Sequence, residues 1–287
     1  MNLPSAIPLN AAATRGRTAH QHRAPAPAAR TQSISRAIDI VTLVRCFNIS
    51  GLRLQDILDA SCLSKSTAHR LLQELTANGL LRKTPQGRYK LGRLSYELGL
   101  AASIDYNVLD LCGPELDQIA KATGDTVFLA VRSGNDSLCV DKRAGRSGLV
   151  RPIGLSKGHL QPLGLGAGGL AILSFLPHAQ RDAIIQANGP RLSLYDGLSP
   201  SSLVRRVDET RRLGYSCMAN FVVPDVSSIG IALLDRTGRP MVAISVAARA
   251  ASMTTAHRRE IFLTLSAAGK NLREKLLVNY SSVLLLA

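Results

Sequence analysis

The 287-residue chain contains no run of 18 or more apolar residues, so no segment has the length and hydropathy of a membrane-spanning helix. It also lacks any Cys-x-x-Cys pair. Its five cysteines, Cys46, Cys62, Cys112, Cys139 and Cys217, are odd in number and widely spaced. That pattern excludes a complete disulfide frame, offers no metal-ligand spacing, and suits reduced thiols in a cytoplasmic protein. Cys46 and Cys62 sit among apolar residues and are expected to be small core residues. A nucleophile with a neighbouring base is missing as well. Ser245, in Ala243-Ile244-Ser245-Val246-Ala247, has no strand-to-helix elbow, and Cys139 and Cys217 have no recognisable histidine partner. His159, His178 and His257 are isolated and expected to be solvated. Neither a metal nor a cofactor is expected, and these absences weigh against an enzyme.

Acidic residues are scarce, with 20 against 35 lysines and arginines, for a net charge of +15. The first 90 residues hold 13 of the basic residues and 4 of the acidic ones, so most of the surplus lies in under a third of the chain. Concentrated positive charge is what a phosphate backbone attracts. Residues 1–32 have no acidic residue and no apolar core of signal-peptide length, and are expected to form a disordered basic arm that adds nonspecific DNA affinity. The length suggests about two domains, and 46% hydrophobic residues suffice for a substantial core.

The basic part has a definite pattern. A helix capped by Ser35 carries Ala37, Ile38, Val41, Val44 and Phe47 inward and ends near Ser50-Gly51. Leu54, Ile57 and Leu58 then predict a short helix over 54–61. Leu63 closes a turn, Ser64 is a good N-cap, and a second helix follows with Ala68, Leu71, Leu72 and Leu75 on its inner face. Lys65, Ser66, Thr67, His69, Arg70 and Gln73 are left outside, where they can meet phosphates and base edges. After Asn78-Gly79 come two short strands joined by Pro85-Gln86-Gly87, carrying Arg82, Lys83, Arg88 and Lys90. Two helices, a capped turn and a basic hairpin in this order predict a winged helix-turn-helix over 33–91, a reader of double-stranded DNA.

Residues 92–106 are expected to form a linker helix. The part from 107 to 279 alternates helices and strands in an antiparallel pattern, predicting an α+β domain with a curved sheet able to enclose a small molecule, followed by a tail over 280–287. Gly113-Pro114 and Ser199-Pro200 are expected to start helices, strands run over 126–131 and 137–141, and a last helix covers 255–277. The densest glycine cluster, Gly164-Leu165-Gly166-Ala167-Gly168-Gly169, runs into an apolar helix over 170–176. Free amides at such a helix start could cradle a carboxylate, or the small residues could simply let a helix lie close to the sheet. A nucleotide loop fails, since no Lys-Ser/Thr ending and no parallel-strand unit accompany the glycines.

Three segments together resemble the IclR family of transcriptional regulators. Ser33-Ile34-Ser35-Arg36-Ala37-Ile38-Asp39-Ile40 is similar to the family's opening helix. Leu63-Ser64-Lys65-Ser66-Thr67-Ala68-His69-Arg70-Leu71-Leu72 is similar to its recognition helix, and Gly87-Arg88-Tyr89-Lys90-Leu91-Gly92 to its wing. The resemblance implies a winged helix-turn-helix joined to a GAF-like effector domain, a homodimer or dimer of dimers, and control by a small metabolite, commonly a carboxylate or an aromatic. By position it makes Ala167 and Gly168 ligand-holding amides and places Asn220, Ala232 and Ser245 at the pocket. Phe128, Leu165 and Gly166 join them as effector-site candidates. Where many members carry His, Thr and Lys, this chain has Gly164, Gly166 and Leu170, and Met218, Ala219, Asn220 and Phe221 replace a stretch often acidic. Loss of polar groups favours an aromatic or other organic acid over a very small oxoacid. An enzyme fused to a DNA reader, and an architectural protein whose second domain only oligomerises, stay open as alternatives.

Overall fold

In a computed structural model, residues 29–103, 108–146, 155–195, 197–221 and 224–279 are described. Residues 1–28, most of the expected arm, and the expected tail lie outside them. The chain divides after Asp105 into two compact units.

The first unit holds α1 (Ala29–Cys46), α2 (Leu54–Ser61), α3 (Lys65–Ala77), the strands β1 (Leu81–Lys83) and β2 (Tyr89–Leu91), and α4 (Arg93–Ala102). α1 starts before the cap expected at Ser35, so residues 29–32 are helical rather than part of a disordered arm, and it ends at Cys46, short of Gly51. Ile40, Val44, Leu52, Ile57, Leu72, Leu81 and Tyr89 form the core, drawn from every element of the reader. α2 ends in Cys62, which takes a left-handed conformation (φ 52°) and is exposed. The expectation of a core thiol there is therefore corrected: the tight turn turns its side chain away from the flanking apolar residues. α3 begins as its sequence predicts, Ser64 Oγ accepting from the Thr67 amide at 3.3 Å. α4 packs on the wing, where Ser95 Oγ donates to the Leu80 carbonyl at 2.7 Å. Gly92 allows this, since a Cβ there would lie 2.1 Å from the Gly79 carbonyl oxygen.

The second unit is a six-stranded antiparallel sheet flanked by helices. Its strands are β3 (Thr126–Ser133), β4 (Asp136–Arg143), β5 (Leu160–Pro162), β6 (Ser216–Ala219), β7 (Val226–Leu234) and β8 (Pro240–Arg249), in the order β5-β4-β3-β8-β7-β6. α5 (Val108–Thr123) and α9 (Thr255–Asn279) cover one face, burying Leu116, Ile119, Ile261, Leu265 and Leu272 against Val127, Leu129, Ile244 and Val246. α6 (Gly166–Ser174), α7 (His178–Leu192) and α8 (Pro200–Leu213) build a second core on the other face around Leu165, Leu170, Ile184, Leu203 and Met218.

Two helix starts differ from expectation. α5 begins at Val108, with Pro114 inside it rather than at its first turn. α6 begins at Gly166, four residues before Leu170, so its glycines are helical. Residues that look like a loop in sequence are helical here, and a glycine of the sheet lets the helix come close. A Cβ on Gly230 of β7 would sit 3.0 Å from the backbone of Ala167 in α6.

Candidate DNA-reading face and effector face

Helical periodicity divides α3 sharply. Ala68, Leu71, Leu72 and Leu75 are buried, while Lys65, Ser66, His69, Arg70 and Gln73 are exposed and line one open groove. Their spacing of three and four residues puts these five side chains on a single outward stripe. Thr67 differs: half-buried, its Oγ1 accepts from Ser64 Oγ at 2.9 Å, so it belongs to the cap that fixes where α3 begins.

The wing cations fall into two pairs. Arg82 and Lys83 are exposed on β1, with Lys83 Nζ 5.6 Å from the Tyr89 ring centroid. Arg88, just before β2, and Lys90, on it, turn back onto the domain: Arg88 donates to the Gly51 carbonyl at 2.9 Å, and Lys90 to that of Ile49. Leu91 N donates to Asn48 Oδ1 at 2.8 Å, and Leu52 bridges Tyr89. Two of the four wing cations are thus engaged with the reader's own backbone. The turn after α1 presents the Ile49 and Gly51 carbonyls, and these two long side chains supply their donors.

In the second unit, residues paired across antiparallel strands share a face. The register sets Lys142, Phe128, Ser245, Gly230 and Ser216 in one row across β4, β3, β8, β7 and β6, on the side covered by α6. Ala232 pairs with Ala243 one row further on. Ser216 Oγ donates to the Ala167 carbonyl at 2.7 Å, and a Cβ on Gly168 would lie 3.4 Å from Ser245 Oγ. Phe128, Ala167, Gly168, Ala232 and Ser245 are therefore brought together. Gly166 is half-buried at the first turn of α6 with φ 71°, whereas Leu165 is buried in the helical core. Asn220 ends β6, exposed with φ 61°, its amide donating to the Val226 carbonyl; its side chain is not drawn into the row.

Sequence reasoning missed the apolar patch beside that row. Phe128 packs with Cys139, Ala247, Leu155 and Val226. Two-residue alternation from Ser245 pointed to Ala247, but Leu155 comes from outside any strand. Burial, with the Asp141 charge adding to it, pushes the Cys139 thiol up to about 11, and burial likewise takes Cys112 up to about 12. Neither is a thiolate near neutral pH.

Two histidines expected on the surface are placed otherwise. His159 is half-buried, and burial lowers its pKa. His257 at the start of α9 lies between Asp125 (Nε2 to Oδ2, 2.6 Å) and Glu260 (Nδ1 to Oε2, 3.1 Å). Among the described residues no group of three or more His, Cys, Asp or Glu is arranged to hold a metal, and no helix is long and apolar enough to cross a membrane.

An exposed polar stripe on the second helix of a winged helix-turn-helix, and an antiparallel sheet covered by helices on both faces, agree with what comparison finds. Residues 33–85 match the IclR helix-turn-helix domain, and residues 101–273 match the bacterial transcriptional regulator IclR C-terminal domain. The chain belongs to the IclR family of transcriptional regulators. It is 25% identical over 206 residues to the HTH-type transcriptional regulator KipR of Bacillus subtilis, covering 71% of this chain and 81% of that one. Its fold matches a putative IclR regulator from Silicibacter sp. TM1040 with a TM-score of 0.72 at 22% identity, over 85% of this chain and 96% of that one. It also matches an IclR homologue from Microbacterium hydrocarbonoxydans crystallised with 4-hydroxybenzoate, with a TM-score of 0.64 at 19% identity, over 84% and 99% of the two chains. As an IclR regulator the chain couples a DNA-binding domain to a C-terminal ligand-binding domain.

Proposed function

We propose that α3 reads an operator in the major groove through Lys65, Ser66, His69, Arg70 and Gln73, and that the α6-covered face of the sheet takes an aromatic organic acid whose binding changes operator occupancy. The exposed stripe on α3, opposite four buried residues, carries the first half of this reading. Arg70 and Gln73 are base-edge donors of the kind that pair bidentately with guanine and adenine, and Lys65 at the helix start suits a phosphate. Arg82 and Lys83 supply phosphate contacts from the wing, while Arg88 and Lys90 hold the wing in place.

The apolar patch of Phe128, Cys139, Ala247, Leu155 and Val226, with Ser245 beside it, suits a ring better than a two- or three-carbon oxoacid. The 4-hydroxybenzoate complex of a relative with this fold points the same way. The function requires no catalysis, and the raised thiols of Cys139 and Cys112 are poor nucleophiles. A homodimer or dimer of dimers in the cytoplasm completes the proposal. Ile34 and Ile38 on α1 and Tyr96, Leu98 and Leu100 on α4 leave more apolar surface exposed than a lone reader needs, and two-fold symmetry lets two readers occupy successive major grooves.

Mobility-shift titration of DNA flanking the regulator's own gene, with and without 4-hydroxybenzoate as probe, tests both halves. A specific complex whose affinity changes with the probe is expected. A complex formed equally on random DNA would overturn the reader, and an unresponsive specific complex would overturn the aromatic effector.

A further inference from the structure

The pocket face contains one cation that the family resemblance did not bring forward. Lys142 lies on β4, directly paired with Phe128 of β3, and its Nζ stands 5.7 Å from the Phe128 ring centroid. A bulge in the β3–β4 pairing shifts the register so that Lys142, and not Asp141, stands opposite Phe128. Asp141 and Arg143 turn to the opposite side, where Arg143 bridges Asp141 at 3.0 Å and Asp117 of α5 at 2.9 Å. The adjacent carboxylate is therefore engaged elsewhere, and among the described residues no carboxylate pairs with Lys142. From Lys142 to Arg181 the sequence contains no aspartate or glutamate, yet it contains six lysines and arginines, Lys157 among them. Both Lys142 and Lys157 are close enough to Cys139, inside the apolar patch, to pull its thiol pKa down against the stronger effects of burial and Asp141.

We propose that Lys142 is a specificity-determining residue of the effector site: it pairs with the acid group of an anionic aromatic effector whose ring lies on the Phe128, Ala247 and Val226 patch. This rests on the aromatic-effector reading above. A half-buried lysine with its ammonium over an aromatic ring and no carboxylate partner among the described residues has its charge available to a ligand. The first turn of α6 is the competing anchor. Its backbone approaches the sheet closely at Gly230, where a Cβ would lie 3.0 Å from Ala167. The pairing makes Lys142 the discriminator between an acid and its neutral isostere, because an amide or ester of the same shape cannot neutralise the ammonium.

Calorimetric titration of the full chain with 4-hydroxybenzoate and 4-hydroxybenzamide tests this. The wild type is expected to bind the acid about tenfold or more tightly than the amide, as a charge-assisted contact implies. Lys142→Met, which keeps the stem but not the charge, should reduce that preference to about twofold or less while amide affinity stays the same, and Lys142→Arg should retain it. Unchanged preference in Lys142→Met would overturn the role of Lys142 and leave the aromatic-effector reading standing, with α6 as the anchor. A wild type that binds both probes equally would also overturn the role of Lys142, since nothing at the site would then read the charge, whereas a wild type that binds neither would overturn both.

Discussion

The guanidinium of Arg88, in the wing, donates to the carbonyl of Gly51, 37 residues earlier in the chain, at 2.9 Å. This bond and the neighbouring Lys90 contact to Ile49 tie the base of the wing to the turn between α1 and α2. Arg88→Ala should therefore act first on the fold of the reader, costing about 1 kcal/mol in stability as a partly buried hydrogen bond does. Arg82→Ala should leave stability within about 0.5 kcal/mol and lower the slope of log affinity against log salt by about one. Chemical denaturation and salt-dependent DNA titration of the two variants separate these effects; equal stabilities with equal losses of salt slope would show that Arg88 also faces DNA.

Arg70 is an exposed long donor at the centre of the α3 stripe, between His69 and Gln73. Arg70→Ala should lose about 1 to 3 kcal/mol of discrimination between operator and random DNA if it makes a bidentate base contact. Lys65→Ala should weaken both DNAs by similar factors. Competition mobility shifts measure both, and an operator-to-random ratio unchanged in Arg70→Ala would move base reading to another residue of the stripe.

Packing of α6 on the sheet gives a prediction about its glycines. A Cβ on Gly230 meets the Ala167 backbone at 3.0 Å and Ser216 Oγ at 3.1 Å, whereas a Cβ on Gly168 meets nothing closer than Ser245 Oγ at 3.4 Å. Gly230→Ala should cost about 1 to 3 kcal/mol, because the backbone of α6 must move, and Gly168→Ala much less. The thermal midpoints of the two variants decide it. Equal midpoints would mean that α6 is free to lift from the sheet, and its first-turn amides would then have room for a ligand.

The parts legible in sequence are those set by local chemistry. Ser64 caps α3, Ser199 caps α8 through the Ser202 amide at 3.2 Å, and Gly214 closes α8 with φ 77°, each announced by residue type and spacing alone. Apolar spacing of three and four likewise gave the buried side of α3. What escaped depends on partners distant in sequence. Nothing around Arg88 indicates a carbonyl at Gly51, and nothing around His257 indicates Asp125, 132 residues away. Cys62 was misplaced for the reverse reason: its apolar neighbours suggested burial, but the backbone turn they impose points it outward. The effector side was half legible, because family resemblance placed Ser245 at the pocket with Phe128 as a further candidate, while Lys142 stands opposite Phe128 only through a β-bulge that no local pattern marks.

His257 sets a pH dependence on the second unit. Burial by itself would lower its pKa, but hydrogen bonds and charge from Asp125 and Glu260 together outweigh that and hold it above the ordinary 6.5. The folded state therefore binds this proton more tightly than the unfolded chain does. Its contribution is fully present below about pH 6.5 and is lost as pH rises through the folded-state value. The ion pair ties the first turn of α9 to the loop that leads into β3, so the loss should appear as looser docking of that helix start. His257→Gln keeps a hydrogen bond to Asp125 but cannot carry the charge. Thermal midpoints of wild type and His257→Gln, followed from about pH 5.5 to 8.5 across the region where histidine titrates, should differ most at the acid end and converge toward the basic end. A difference that stayed constant across the range would show that His257 stabilises α9 through packing and not through its proton.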